Sequence, residues 1–482
     1  MVSVKKNFGY NLALTLCGHL FPLITYPYVS RVLGVQNIGI CNFADSIINY
    51  FVLFSMLGIG SYGVREIARV RQDETKRNFV FSNLILINVI TTIVAIVVLI
   101  LCTFIVPKFS EYKPFLLVGI AKLFFSVFLI EWLYQGIQDF KYITVRSLLV
   151  RVIYVVAIFV FVHDEDSVLL YFFLTALTTI INAIINWVHA RKFIRIDLKS
   201  LNLKAFILPI MAFGYYRILT SMYTTFNTVF LGFSSGDVEV GYFATATKLY
   251  ALIMSVLTAF TTVMVPKVSE LLHEKKTEKL QRIANQTISV VTSVSIPIIL
   301  YCQFCASDII RLIAGEGYEG AIVPFRIVIF MLLVIGSEQI IIQQFLMAST
   351  QNKPILIVST IGAVVGVSFN FVITPTFGAI GSAVAWGVSE MSVLIAGIFF
   401  IKKILGISVP LRKTFVDLSW SVSYILPLYF VHRFDFNLIA NLILSGLVTA
   451  TIFMIINLAV HKNPQMIELF NEASKWLNFK RK

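Results

Sequence analysis

The chain has 482 residues, of which 58% are hydrophobic and only 13% are charged, and its formal net charge is +14 at pH 7. A mean hydropathy of +0.86 excludes an ordinary soluble globular protein. The apolar runs do not alternate as barrel strands must, so helices are the elements expected to cross a bilayer. In a membrane protein, an excess of Lys and Arg indicates first which segments lie on the inner side of the membrane. We therefore predict no nucleic-acid partner.

The first predicted span is retained, because Lys5 and Lys6 precede an apolar run to Ser30 that has no small-residue cleavage site. Hydropathy, turn residues and charged breaks together predict an all-α polytopic membrane protein with about fourteen transmembrane helices. The predicted spans are 8–30, 39–60, 80–104, 113–135, 147–163, 167–188, 205–232, 241–264, 285–307, 321–347, 354–375, 378–401, 414–432 and 437–459.

The distribution of Lys and Arg predicts the orientation of these spans. With the N-terminus inside and alternation thereafter, inner segments hold 29 of the 39 basic residues, outer segments hold 5 and the spans hold the other 5. If the number of spans were wrong, the inner and outer segments that follow the error would be exchanged, and the bias would be lost. The bias therefore supports both the fourteen spans and cytoplasmic termini.

A sequence repeat relates the two halves of the chain. Its elements are Leu33-Gly34, Gly39 and Phe43-Ala44, which recur as Leu231-Gly232, Gly241 and Phe243-Ala244. Six spans per copy make the repeat parallel, and the substrate site of such a transporter is expected where the halves meet. The predicted domains are an N-lobe at 1–200 (helices 1–6), a C-lobe at 201–403 (helices 7–12), and 404–482 with helices 13–14. The last segment, 464–482, is amphipathic and is predicted to lie along the inner surface.

Charged residues inside the spans are the candidate functional residues, because a charge in hydrocarbon costs a few kcal/mol or more unless it faces protein or a wet cavity. Arg217, near the middle of 205–232 and among hydroxyl-bearing residues, is the most prominent. The basic candidates for substrate binding are Arg31, Lys122, Arg151, Arg217, Lys248 and Arg326. They suit a cationic passage for an anionic headgroup, since the Arg fork can clasp pyrophosphate with two hydrogen bonds.

Two other interpretations of these charges stay open. The basic residues could form structural ion pairs, such as Lys248 with Asp45 or Arg326 with Glu390. The acidic residues Asp45, Glu338 and Glu390 are candidates for coupling to H⁺ or Na⁺. We predict no cofactor and no metal.

No catalytic set is visible in the sequence, and no GxxxxGK[ST] nucleotide loop occurs. Cys302 and Cys305 form a CxxC without a second pair or a histidine cluster, so small packing residues are the expected role. Trp132 and Tyr134, near the inner end of span 4, fit either sugar stacking or an interfacial aromatic belt.

Several stretches in chain order carry a family resemblance. They are FPLITYPYVSRVLG at 21–34, GIGSYGVREIA at 58–68, EWLYQGIQDFKYIT at 131–144, the segment 231–248 ending in GYFATATK, and NFVITPTFGAIGSAVAWGVSE at 370–390. This series resembles bacterial O-antigen and capsule oligosaccharide flippases, whose superfamily includes multidrug exporters and the lipid II flippase. The family pattern leads us to expect Asp where this chain has Asn227, which puts ion coupling at that position in doubt.

The resemblance implies two six-helix lobes in a V around a central cavity, in the bacterial cytoplasmic (inner) membrane. It further implies that undecaprenyl-pyrophosphate-linked oligosaccharide crosses by alternating access, with a polysaccharide polymerase and a chain-length regulator as candidate partners. The alternatives are a multidrug or cation antiporter of the same fold, which would favour an acidic cavity, and a lipid II flippase. A membrane glycosyltransferase would need larger outer loops than this chain has.

Overall fold

Every regular element in the described part of the chain is a helix, as expected where no water is available to satisfy backbone groups. The computed structural model describes residues 4–197, 201–274, 276–349, 352–434 and 436–460. The α-helices there are α1 Val4–Met56, α2 Ile59–Arg69, α3 Glu74–Ile105, α4 Pro107–Glu111, α5 Lys113–Ser126, α6 Glu131–Ile137, α7 Phe140–Phe161, α8 Val168–Ala190, α9 Leu203–Ser221, α10 Thr225–Ser235, α11 Asp237–His273, α12 Thr277–Ile313, α13 Ile322–Ile329, α14 Met331–Glu338, α15 Asn352–Leu405, α16 Leu411–Ser419, α17 Val422–Arg433 and α18 Leu438–Ile455.

Two of these helices are each broken at one glycine. Gly34 in α1 has φ 73° and ψ 169°, and Gly378 in α15 has φ 54° and ψ −128°. Both values lie in the positive-φ region that glycine adopts at low cost. The predicted spans 8–30 and 39–60 fall on either side of Gly34, and the spans 354–375 and 378–401 meet at Gly378.

Two predicted spans are less regular than expected. The span predicted at 205–232 is two helices, α9 and α10, with a break at 222–224. The span predicted at 321–347 is bent by 40° between Ile329 and Met331 and continues past α14 as a π-helical segment, Gln339–Leu346. Both regions carry polar or charged residues, and irregular backbone at membrane depth is typical where a chain lines a cavity or a site.

Eleven helices in the described ranges are long and apolar enough to cross a membrane, or twelve if the bent pair is one span. The protein is therefore an all-α, multi-pass membrane protein. The count of eleven or twelve takes the helices on both sides of Gly34 as one span, and those on both sides of Gly378 as another. The figure of fourteen stays a prediction. The amphipathic segment predicted at 464–482 lies outside the described residues.

The loops predicted to lie outside meet at one end of the molecule. The Tyr28 hydroxyl donates to the Val162 carbonyl oxygen at 2.6 Å, and the Tyr318 hydroxyl donates to that of Ser30 at 3.1 Å. Loops predicted to lie inside meet at the other end, where Arg77 Nη2 donates to the Phe193 carbonyl oxygen at 2.8 Å. These contacts thus join loops that the charge pattern predicts to lie on the same side.

The repeat glycines lie where α1 crosses α11, between the two halves. A Cβ on Gly39 would lie 1.8 Å from the Asp237 carbonyl oxygen, and one on Gly241 would lie 2.3 Å from that of Val35. The contact is reciprocal, since each glycine lies against the backbone of the other helix. Only glycine permits backbones to approach this closely.

Helix α9 and the last two helices, α17 and α18, pack in different ways. At the predicted inner end α9 packs against the first half as well as against α15, and its Phe206 and Ile210 are buried there with Ile59 and Leu84. The last two helices, α17 and α18, pack on α12 through a small separate core of Tyr424, Leu428 and Ile456. The two halves thus share packing at the inner end, while the last two helices form an appendix to the second half.

Candidate functional site

A polar cleft of about 180 Å³ lies at the junction of the halves, with Arg217 in its wall. The α1 side contributes Asn49, Tyr50 and Leu53, and the α9–α10 side contributes Arg217, Thr220, Ser221, Thr224 and Thr225. The break between α9 and α10 exposes this row of hydroxyl groups. The Tyr50 hydroxyl donates to the Ser221 carbonyl oxygen at 2.9 Å, which joins the two walls.

The Arg217 side chain is exposed to this cleft. Within the described ranges no carboxylate lies within 4 Å of its guanidinium, whereas several other basic residues have such a partner. A guanidinium without an internal counter-charge, at membrane depth and among hydroxyls, is suited to binding an anion. Arg217 therefore faces a polar cavity, as expected of a charged residue inside a membrane span.

Lys122 and Asp45 form an ion pair beside the same cleft. Lys122 Nζ lies 2.5 Å from Asp45 Oδ1, and Asn49 bonds both partners, donating to Asp45 at 2.9 Å and accepting from Lys122 at 3.1 Å. The Asp45 side chain remains 40% exposed, so the pair faces open space. Sequence reasoning missed Asn49, although its i+4 spacing from Asp45 places both on one helix face.

Lys248 extends from α11 toward α1 and the Lys122–Asp45 pair. Its ammonium lies 4.7 Å from the centre of the Tyr26 ring, a cation–π contact. The Tyr26 hydroxyl is hydrogen-bonded to Thr245 at 2.6 Å across the halves. The interpretation that Lys248 pairs with Asp45 is wrong, because the Asp45 carboxylate bonds Lys122 instead.

Three other basic candidates lie away from the cleft. Arg31 bonds carbonyl oxygens at the end of α12, with Nη2 at 2.5 Å from the Leu312 oxygen. Arg151 Nη1 lies 3.4 Å from the Leu14 carbonyl oxygen. Arg326 is on an exposed face of α13 that it shares with Val323 and Phe330. The geometry does not bring these three together with Arg217.

Glu338 and Glu390 are brought together by α14 and α15. Trp386 Nε1 donates to Glu390 Oε1 at 2.8 Å, and the Glu338 carboxyl lies near enough to interact electrostatically with Glu390. Glu390 is buried, with 4% of its surface exposed. The interpretation that Glu390 pairs with Arg326 is wrong, because the Glu390 carboxyl accepts from the Trp386 indole and no cation of the described residues lies within 4 Å of it.

A neutral amide network occupies the region around Asn227. Asn370 Nδ2 donates to Asn227 Oδ1 at 2.5 Å, and the Thr374 hydroxyl donates to Asn370 Oδ1 at 2.9 Å. All three side chains are buried. The amide donor of Asn370 satisfies the Asn227 oxygen, so these buried polar groups are hydrogen-bonded to one another.

The motif at 131–144 builds the inner end of the first half rather than a sugar platform. Trp132 and Tyr134 are buried, which contradicts both roles considered for them. Buried Arg146 bonds Glu131 at 2.5 Å and also Asn186. Glu131 of the motif is thus paired inside the helix bundle with an arginine just beyond the motif. Cys302 and Cys305 are likewise buried and free.

Comparison with known proteins gives two matching family models. The model described as polysaccharide biosynthesis protein matches residues 4–272, and the one described as MatE matches residues 212–372. A putative O-antigen transporter of Escherichia coli K12 is 22% identical over 83% of this chain and 97% of its own. The capsular polysaccharide biosynthesis protein CapF of Staphylococcus aureus is 23% identical over 83% of this chain and 99% of its own.

A solved structure shares the fold. The lipid II flippase MurJ in an inward closed conformation superposes with a TM-score of 0.77 at 15% identity, over 93% of this chain and 98% of that one. This likeness establishes the architecture of the helices.

Proposed function

The chain belongs to the polysaccharide biosynthesis protein family, and we propose that it is a flippase for undecaprenyl-pyrophosphate-linked oligosaccharide repeat units. It moves them from the inner to the outer leaflet of the bacterial cytoplasmic membrane, with both termini cytoplasmic. The similarity to an O-antigen transporter and a capsular polysaccharide protein supports the substrate class. The Escherichia coli relative is named a putative O-antigen transporter, and the proposed activity is transport without catalysis.

The observation that carries this proposal is Arg217 in a polar cleft with no carboxylate within 4 Å in the part of the chain that the structure describes. In our proposal its planar fork binds the pyrophosphate through two parallel hydrogen bonds, while the lipid tail remains in the bilayer. The lining Thr225 hydroxyl donates to the same oxygens, whereas the hydroxyls of Thr220 and Thr224 donate to the carbonyl oxygens of Arg217 and Thr220 and can only accept from the headgroup. Such hydrogen bonds replace the water that the headgroup loses on entry.

The Lys122–Asp45–Asn49 group supplies the second part of the binding site. It presents both donors and acceptors toward open space, which suits sugar hydroxyls, since each hydroxyl can donate and accept. Lys248 adds positive charge on the α11 side. Alternating access follows from rocking of the halves about the α1–α11 crossing. A polysaccharide polymerase and a chain-length regulator are the partners that would use the delivered units.

The test is flipping by the full chain in liposomes, measured as loss of protection of a fluorescent undecaprenyl-pyrophosphate disaccharide from an impermeant quencher. Arg217→Ala should lower headgroup affinity at least tenfold, because removing one partner of a desolvated charge pair costs about 2–5 kcal/mol. Arg217→Lys keeps the charge but loses the planar fork, so its headgroup affinity should lie between that of the wild type and that of Arg217→Ala. Arg311→Ala, which removes an exposed partner of Glu316 at 3.1 Å, is the matched control.

The outcomes separate the related functions. Wild-type flipping by Arg217→Ala would overturn the proposed role of the cleft. Flipping of lipid II but not of repeat-unit lipids would identify a lipid II flippase. Transport of organic cations with no flipping of either lipid would identify a multidrug antiporter.

A further inference from the structure

The non-glycine residues with positive φ in the described ranges all flank two short helices at the predicted inner end. Leu57 (φ 46°) precedes α2, Ile130 (φ 34°) precedes α6, and Gln138 (φ 66°) follows α6. This conformation is costly for any residue with a Cβ, and most of all for a β-branched one such as Ile130. Strain of this kind persists only where the surrounding structure holds it, and it is typical of segments that change conformation.

The helix breaks at Leu57 and Ile130 are each held by a side chain from another helix of the first half. The Ser55 carbonyl oxygen, in the last turn of α1, accepts from Thr91 Oγ1 of α3 at 2.5 Å. The carbonyl oxygen next to Ile130, that of Leu129, accepts from the Asn186 side-chain amide of α8. Carbonyl groups at a helix end have no partner within the helix, so these bonds stabilise both breaks.

Both breaks lie directly below the first-half wall of the cleft. Leu53, which lines the cleft, is about one helical turn before Leu57 in the chain. Lys122, of the ion pair beside the cleft, is about two turns before Ile130. The two helices that form this wall therefore continue toward the predicted inner surface as α2 and α6, each after a strained residue.

Helices α2 and α6 pack against each other closely at two glycines. A Cβ on Gly63 of α2 would lie 2.7 Å from the Trp132 ring, and one on Gly136 of α6 would lie 2.6 Å from the Ile67 side chain. Each helix thus has a glycine that receives a buried side chain of the other. Because such close packing leaves no free space, the two helices must tilt together.

Helix α2 also packs against α9, which contacts α15 of the second half. A Cβ on Gly58 would lie 2.2 Å from the Ile210 carbonyl oxygen, and one on Gly214 would lie 3.1 Å from the Gly58 backbone nitrogen. The Arg65 guanidinium lies 5.2 Å from the centre of the Phe213 ring, a cation–π contact. The contact of α2 with α9 thus closes the cleft at its predicted inner end.

We propose that α2 and α6 form an inner gate, which is held closed against backbone strain at Leu57 and Ile130. When α2 leaves α9, both residues adopt helical φ and the strain is released, so the closed gate reopens readily. The role of the gate rests on the flippase function proposed above: the strain favours return of the emptied cleft to the inner side, where the next lipid-linked saccharide is bound.

Labelling of a buried cysteine measures opening of the inner gate and needs no transported substrate. The reporter is Ile210→Cys, at a position fully buried with Ile59, in the full chain with its five native cysteines replaced and held in lipid nanodiscs. Leu57→Gly removes strain from the closed state, so its labelling by a water-soluble maleimide should be about tenfold slower than that of Leu57→Ala. Both variants lack the packing of leucine, so their difference reports on the backbone.

The same comparison at Ile130 tests whether α2 and α6 move together. Ile130→Gly should label more slowly than Ile130→Ala, although Ile130 precedes α6 and the reporter cysteine is on α9. Val52 is the matched control, since it is half-buried in a regular part of α1 and its φ is not positive. Val52→Gly and Val52→Ala should label at equal rates.

Gly58→Ala tests the contact between α2 and α9 from the opposite direction. The added methyl group would meet the backbone of α9 in the closed state, so labelling of the reporter cysteine should be about tenfold faster. Gly60→Ala changes the same helix at a position where nothing lies within 4 Å of a Cβ, and it should leave the labelling rate unchanged.

Equal labelling of Leu57→Gly and Leu57→Ala, or an unchanged rate in Gly58→Ala, would overturn the inner gate. A difference at Leu57 without one at Ile130 would overturn the joint movement of α2 and α6. If labelling changes as expected but the full chain does not flip the fluorescent undecaprenyl-pyrophosphate disaccharide, the proposed substrate fails while the gate stands.

Discussion

Gly39 lies where the backbones of α1 and α11 are in contact, and it provides a test at the scale of one residue. A Cβ there would meet the Asp237 carbonyl oxygen at 1.8 Å, and a backbone atom cannot move aside as a flexible side chain can. We expect Gly39→Ala to destabilise the protein by about 1–3 kcal/mol, as overpacking usually does. A lower midpoint of thermal unfolding in detergent would show it.

Gly60→Ala is the matched control for this change. Nothing lies within 4 Å of a Cβ on Gly60, which is also helical. That variant should be neutral or gain about 0.5–1 kcal/mol, because alanine favours helix more than glycine does. Equal midpoints for the two variants would contradict the close crossing.

At this scale the sequence located the charged residues inside the spans better than it predicted which of them pair. Intramembrane charges are visible from hydropathy, and Arg217 does lie in the cleft. The partners were not predictable: both ion pairs considered for Asp45 and Glu390 are wrong. Pairing depends on which faces of distant helices meet, and a single sequence fixes the face of each helix but not the rotation of one helix against another.

The C-terminus of α12 and the Arg31 side chain form a latch between two elements at the predicted outer end. Arg31 donates to the carbonyl oxygens of Leu312 at 2.5 Å and Ile313 at 3.2 Å. Free carbonyls at a helix C-terminus carry partial negative charge, and a cation there contributes about 0.3–1 kcal/mol. We expect Arg31→Ala to open this end more often by weakening the attachment between the halves.

Labelling of a buried cysteine measures the opening. Thr245 is fully buried where the halves meet and is hydrogen-bonded to Tyr26 at 2.6 Å, so Thr245→Cys, in a chain whose five native cysteines are replaced, should react with a maleimide only when this end opens. Arg31→Ala should raise its labelling rate, and Arg31→Lys should raise it less. Arg311→Ala changes a neighbouring arginine whose side chain pairs with Glu316 of its own half, and it should have no effect. An unchanged labelling rate in Arg31→Ala would show that the latch does not hold the closed state.

Element boundaries show why sequence reasoning succeeded for most helices and failed for two. Long apolar runs predict their own helices, because hydropathy and backbone satisfaction act locally. The break between α9 and α10 and the π-helical segment after Glu338 were missed, since neither has a proline at the irregular point. Their irregularity follows from packing around polar groups. Hydropathy is a mean over a window of residues, so it does not show single polar groups within an apolar run.

The orientation of the whole molecule can be tested on one helix. Helix α12 runs from Thr277 to Ile313, 37 residues, which at 1.5 Å per residue is about 55 Å and exceeds a hydrocarbon core of about 30 Å. Its two ends must therefore lie on opposite sides of the membrane. The excess of Lys and Arg before Leu280 predicts that this end lies in the cytoplasm.

Cysteines introduced at Lys279 and Glu316, with the five native cysteines replaced, report on these two ends. Both positions are exposed. In spheroplasts an impermeant maleimide should label Glu316→Cys, and it should label Lys279→Cys only after permeabilisation. A third cysteine at Asp166, in another predicted outer loop, should behave like the one at Glu316. The reverse pattern would invert the topology, and with it the direction in which the proposed flippase carries its substrate.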